Sequence, residues 1–136
     1  MSEATAVVVD THTLVWYVDG DARLSTPARE ALDAATEADL PIIVSPISLL
    51  EVSYLADRGK VAAGTGERLR ELLGEPDSAF DVYPVDLAVI VAAIEAPWRG
   101  GDPSDRMIAG TATTLQVPLV TRDEHLRSSE YVDTVW

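Results

Sequence analysis

The chain has no cysteine, a single lysine and only two histidines among its 136 residues. Without cysteine there is no disulfide framework, no thiolate metal site and no cysteine nucleophile, and the cytosol is the expected compartment. No apolar run reaches the ~18 residues of a membrane span, and no basic segment followed by an apolar one opens the chain. A soluble, intracellular protein with no membrane association is therefore expected. The chain also lacks a glycine-rich phosphate loop and the elbow motif of a serine nucleophile. Internal repeats, low-complexity tracts and dividing linkers are missing too. Since Lys60 is the one lysine, arginine carries nearly all the positive charge. That suits bidentate phosphate contacts at a few points and not a broad basic surface. The net charge of −13 opposes non-specific binding to polyanions and favours a basic partner.

What is present is a globular pattern. Apolar residues make up 47% of the chain and run along its whole length, so residues 1–136 are expected to form one domain. Ala6-Val7-Val8-Val9 is a short strand run closed by Asp10, and its unbroken apolar character suits burial on both faces. A helix follows from Thr11 to Gly20, and Ser25-Thr26-Pro27 opens another. Pro41-Ile42-Ile43-Val44 reads as a second strand, followed by a helix from Ser45-Pro46 whose apolar stripe takes in Ile47, Leu50, Tyr54 and Leu55. Gly59 and Gly64 bound that helix, and Glu67 to Leu73 forms the next. Phe80 to Pro84 fits an edge strand because proline breaks its ladder. Leu87 to Glu95 is a helix, Pro118 to Thr121 a strand, Asp123 to Leu126 a helical turn, and Tyr131 to Trp136 a last strand. The alternation predicts a three-layer α/β/α sandwich with a mainly parallel central sheet of about five strands.

The chain is organised around Asp102-Pro103-Ser104-Asp105-Arg106-Met107-Ile108-Ala109, a loop turning into a helix capped by Ser104 or Asp105. Asp105 shares a face with Ile108, Ala109 and Ala112, so it heads the apolar side of that helix. Glu51 lies inside an apolar stripe and leans back toward the end of the preceding strand. In an open parallel sheet, ligands gather beyond the carboxyl ends of the strands. Asp10, Glu51, Asp105 and Asp123 are all placed to meet there. Singly, each has an ordinary explanation: helix caps for Asp10, Asp105 and Asp123, and a salt bridge to Arg106 or Arg58 for Glu51. Together they repel one another unless protonated or bridged by a cation. Carboxylates with water suit Mg²⁺ or Mn²⁺, and phosphodiester hydrolysis suits such a cluster.

Four segments carry a family resemblance. They are Asp10-Thr11-His12-Thr13-Leu14-Val15-Trp16, Ser45-Pro46-Ile47-Ser48-Leu49-Leu50-Glu51-Val52, Asp102 to Ala109, and Leu119-Val120-Thr121-Arg122-Asp123-Glu124. In this order and spacing the chain resembles a PIN-domain endoribonuclease toxin of the VapC type, over nearly its whole length. The resemblance implies Mg²⁺- or Mn²⁺-dependent cleavage of RNA. It assigns Asp10, Glu51 and Asp105 to the central acidic set, with Asp123 as a fourth member and Asp102 in support. Thr121 is expected to hold a carboxylate or water, and Arg106 and Arg122 to orient RNA phosphates, to steady the carboxylates or simply to form surface salt bridges. It further implies a cognate antitoxin whose basic segment occupies the acidic groove, and a homodimer or toxin–antitoxin hetero-oligomer to which Leu49 or Val52 would contribute exposed apolar surface. One departure stands out: Arg99-Gly100-Gly101 precedes Asp102 where the subgroup often has His-Arg.

His12 reads as structural and His125 as solvated. Trp16, Trp98 and Trp136 read as core or interface residues, since no basic residues are interleaved with them. Two alternatives stay open. A receiver-like signalling domain shares the fold type but needs a lysine near its last strand, and Lys60 lies in the wrong half. A PIN-like module that binds without cutting is the other.

Overall fold

The computed structural model describes residues 4–97 and 102–136. Trp98 and the Arg99-Gly100-Gly101 departure lie outside the described residues. Five strands form one sheet in which every pairing is parallel: β1 (Val7–Val9), β2 (Ile42–Val44), β3 (Phe80–Val82), β4 (Leu119–Val120) and β5 (Thr134–Val135), in the order β3-β2-β1-β4-β5. The run of β-branched residues in β1 is buried on both faces, as its unbroken apolar character predicts. Val7 and Val9 face one layer and Val8 the other, because side chains alternate along a strand.

On the Val7 and Val9 side lie α1 (Thr11–Asp19), α2 (Thr26–Glu37) and α4 (Thr65–Gly74), which contribute Leu14, Leu32 and Leu69 to the core. On the Val8 side, α6 (Pro103–Leu115) packs Ile108, Ala109 and Ala112 against Ile43 and Leu119, with Leu126 of α7 (Glu124–Arg127) beside them. α5 (Leu87–Glu95) lies against α6, and α3 (Pro46–Asp57) touches α1, α4 and α6 at the carboxyl end of the sheet. The expected three-layer α/β/α architecture is observed. Phe80–Val82 is an edge strand, as Pro84 foretold. Among the described residues, no helix is long and apolar enough to cross a membrane.

Two local expectations are corrected. The cap of α6 is Asp102, whose Oδ1 accepts from the Ser104 N–H at 2.8 Å, with Pro103 in the first helical position. Ser104 and Asp105 lie inside the first turn. Proline explains this, for it suits the first helical position and leaves the residue before it extended, the geometry of a cap. The second correction concerns α3. Its buried face carries Ser48 and Val52, while Leu50 and Tyr54 of the expected stripe are 46% and 51% exposed. Val52 is therefore core and not exposed surface, and Leu49 is partly buried against the same core. Apolar residues stand on nearly every side of α3, so spacing alone could not choose its inner face.

The sheet order fixes where a site can form. From β1 the chain steps outward to β2 and β3, then returns to the other side of β1 for β4 and β5. The crevice beyond the carboxyl ends of β1 and β4 is thus the topological switch point.

Candidate active site

Asp10 leaves β1 and caps α1, its Oδ1 accepting from the Thr13 N–H at 2.9 Å. Its other oxygen accepts a hydrogen bond from Thr121 Oγ1, just past β4. Thr121 is fully buried, and its hydroxyl also accepts from the Asp123 N–H at 3.1 Å. Asp123 in turn caps α7 through the Leu126 N–H at 3.1 Å. One buried hydroxyl therefore holds the Asp10 carboxylate and the Asp123 backbone together across the switch point. Thr121→Val keeps the shape and leaves the Asp123 N–H without its acceptor. It is expected to cost ~1–2 kcal/mol in urea melts and to weaken whatever activity needs Asp10 held still.

Glu51 stands at the margin of the buried face of α3, half-buried. Its hydrogen-bond partner is Thr11 Oγ1 at 2.6 Å, where sequence had suggested Arg58 or Arg106. Thr11 shares a further hydrogen bond of 3.0 Å with the Ser48 hydroxyl. Burial raises the Glu51 carboxyl above its ordinary range, with Asp102 and Asp10 adding to it; the Thr11 hydroxyl and His12 pull the other way.

Asp105 lies in the first turn of α6, half-buried, while Asp102 at the cap is exposed. Its pKa is pushed up to about 7, first by burial and then by Asp102, Asp123, Glu51 and Asp10. Every influence acts in the same direction, so this group bears the mutual repulsion of the whole set.

These five carboxylates line one cavity of about 540 Å³, together with Thr11, His12, Trp16, Arg23 and Arg122. All four acids of the expected central set are brought together, Asp102 joins them, and Thr121 lies beneath Asp10. Arg122 reaches the cavity. Arg106 does not line it; its Nη1 donates to the Ala93 carbonyl at 2.8 Å and ties α6 to α5. Lys60, which a receiver-like site would need, is not part of the lining either. A larger groove of about 730 Å³ beside α7 and β5 contains His125 but only one carboxylate, Glu124, so the concentration of chemistry favours the acidic cavity.

Three contributors were not singled out from sequence. Thr11 bonds Glu51 and Ser48 bonds Thr11, and Arg23 sits in the loop after α1 with no local pattern to mark it. Trp16 is buried as expected, yet Arg23 and Arg122 both lie over its ring, so basic residues are interleaved with it in space.

The donor set is oxygen throughout, the chemistry of a hard divalent ion. No three of the acidic or histidine side chains among the described residues are drawn together tightly enough to hold a metal ion by themselves.

Comparison with known proteins agrees with the fold. The PIN domain family model matches residues 7–129. Ribonuclease VapC22 of Mycobacterium tuberculosis is 32% identical over 97% of this chain and 99% of its own length. Among solved structures, VapBC2 of Rickettsia felis, crystallised with a DNA fragment from its promoter, aligns with a TM-score of 0.69 at 15% identity, covering 96% of this chain and 97% of that one. The DNA-bound VapBC of Salmonella typhimurium aligns with a TM-score of 0.66 at 19% identity, covering 96% of each.

Proposed function

Since this chain belongs to the PIN-domain family, on the VapC side of it, we propose that it is a divalent-metal-dependent endoribonuclease, the toxin of a toxin–antitoxin pair. The observation that carries this reading is the convergence of Asp10, Glu51, Asp102, Asp105 and Asp123 from separate elements on one cavity. The relative named a ribonuclease and the neighbours crystallised as VapBC pairs point the same way.

Asp10, Glu51, Asp105 and Asp123 would hold Mg²⁺ or Mn²⁺, with Asp102 at the rim. When bound, the ion would supply an acidified water and neutralise charge on the scissile phosphate. The chain's own residues do the rest. Thr121 and the Thr13 N–H fix the two oxygens of Asp10, and Thr11 fixes Glu51, so two carboxylates are held before substrate arrives. Asp105, whose pKa is pushed up to about 7 by burial and four neighbouring acids, is the carboxyl that a bound cation would relieve most. A cognate antitoxin would silence the site by placing a basic segment among these acids, which also fits the net charge of −13. The exposed apolar residues Leu87, Val91 and Ile94 on α5, with Leu50 and Tyr54 on α3, suit burial against a second copy or the antitoxin. The protein would act as a single PIN unit in the cytoplasm.

Protein freed of any antitoxin is expected to cut total RNA with Mn²⁺ or Mg²⁺, to stop with EDTA, and to resume when the ion is restored. A folded protein that cuts no RNA with either ion would favour the non-cutting PIN-like module instead.

A further inference from the structure

The cavity has a cationic side that the acidic set does not use. Trp16 of α1 is only 7% exposed, and its ring supports two guanidiniums from distant segments. Arg23, in the α1–α2 loop, lies 5.0 Å from the ring centroid, and Arg122, after β4, lies 5.8 Å from it. The His12 ring adjoins the same indole at 5.6 Å. All four side chains line the acidic cavity.

The ordinary explanation for arginines beside an acidic cluster is that they neutralise it. The contacts speak against this. Among the described residues, neither Arg23 nor Arg122 is ion-paired with any of the five acids. Arg23 is instead held by Asp21, which lies outside the set, through Nε at 3.1 Å and Nη2 at 2.8 Å. That grip fixes the plane of the guanidinium and leaves Nη1 outside the pair, while the side chain stays 61% exposed. Holding two cations against one indole is stabilised by the ring and opposed by their mutual repulsion, which an anion bound by both would relieve. Arginine is also the residue whose fork matches a phosphate diester.

We propose that Arg23 and Arg122, seated on Trp16, form a clamp for a backbone phosphate of single-stranded RNA next to the one being cut. The clamp rests on the nuclease reading and extends it. It gives an acidic protein a local means of holding a polyanion, and it sets the direction of the strand across the carboxylates. Arg23 and Arg122 are positioning residues here.

The test measures binding and cleavage separately on the full chain. Fluorescence anisotropy of a labelled mixed-sequence RNA oligonucleotide, in EDTA so that nothing is cut, is followed as salt is raised. Arg23→Gln or Arg122→Gln is expected to weaken binding about 5- to 30-fold each. The slope of log affinity against log salt should shrink by about 0.7 per arginine removed. Lysine at either position should restore the slope and only part of the affinity, since charge returns without the fork or the stack. In cleavage assays both Gln variants should raise KM more than they lower kcat. An unchanged affinity and salt slope in the folded double variant, or no RNA binding by the wild-type protein, would overturn the clamp. Arginine-dependent binding without any cleavage in Mg²⁺ or Mn²⁺ would sink the nuclease reading and leave the clamp standing.

Discussion

Asp105→Asn is expected to abolish RNA cleavage and, in the same protein, to raise the melting temperature above neutral pH. Both follow from one carboxyl group. Burial and four neighbouring acids lift its pKa from 3.8 to about 7. The folded chain therefore holds this proton more tightly than the unfolded chain does. Stability contributed by the group is fully present below about pH 4 and is lost as pH rises through about 7. Above that, the ionised carboxylate strains the site unless a cation offsets it. Taken at face value the displacement is worth ~4 kcal/mol. The group is only half-buried, and solvent screening reduces this to ~1–2 kcal/mol. Asparagine has the same shape and no charge. In EDTA at pH 8 it is expected to melt ~3–8 °C higher than the wild type, with the gap closing toward pH 4. Added Mg²⁺ should raise the wild-type melting temperature and leave the variant nearly unmoved. The cleavage rate should fall by about 10²–10⁴. A variant that melts lower at pH 8, or cuts within tenfold of wild type, would remove Asp105 from the centre of the site.

How far such a site can be read from sequence depends on which forces are local. The caps at Ser25 and Ser45 were legible because a hydroxyl followed by proline is a signal of a few residues. β1 was legible because three valines bounded by an acid suit little except a buried parallel strand. Asp10, Glu51, Asp105 and Asp123 were legible as a group because parallel topology sends every strand end to the same edge. The inner face of α3 was not, since apolar residues surround the helix and the choice was made by α1, α4 and α6 packing on it. The seating of Arg23 on Trp16 was not either. Only seven positions separate the two in sequence, but the turn at Gly20 sets their approach, and Arg122 arrives from the far end of the chain. Contacts of that kind belong to the tertiary fold, and local pattern carries no trace of them.

Gly110→Ala tests how firmly the α5–α6 pair holds the acidic end of α6 in place. On helix propensity alone, alanine inside α6 would stabilise by ~1 kcal/mol. The packing reverses the sign. A Cβ at Gly110 would lie 2.7 Å from the Val89 carbonyl oxygen and 3.1 Å from the Ala93 amide nitrogen, both backbone atoms of α5 that no rotamer change can move aside. The helices must separate, although Arg106 binds the Ala93 carbonyl and the Tyr131 hydroxyl binds that of Ala92. Overpacking of this kind costs ~1–3 kcal/mol or more, and here it also stretches both of those bonds. A net loss of ~2–4 kcal/mol is expected, with cleavage falling too, since Asp102 and Asp105 ride on the displaced helix. Gly66→Ala in α4 is the matched control: its Cβ would meet only Val52 Cγ1, at 3.9 Å, so alanine there should stabilise by ~0.5–1 kcal/mol. If Gly110→Ala melted at or above the wild-type temperature in the same experiment, the close approach of α5 and α6 would not be what fixes the acids.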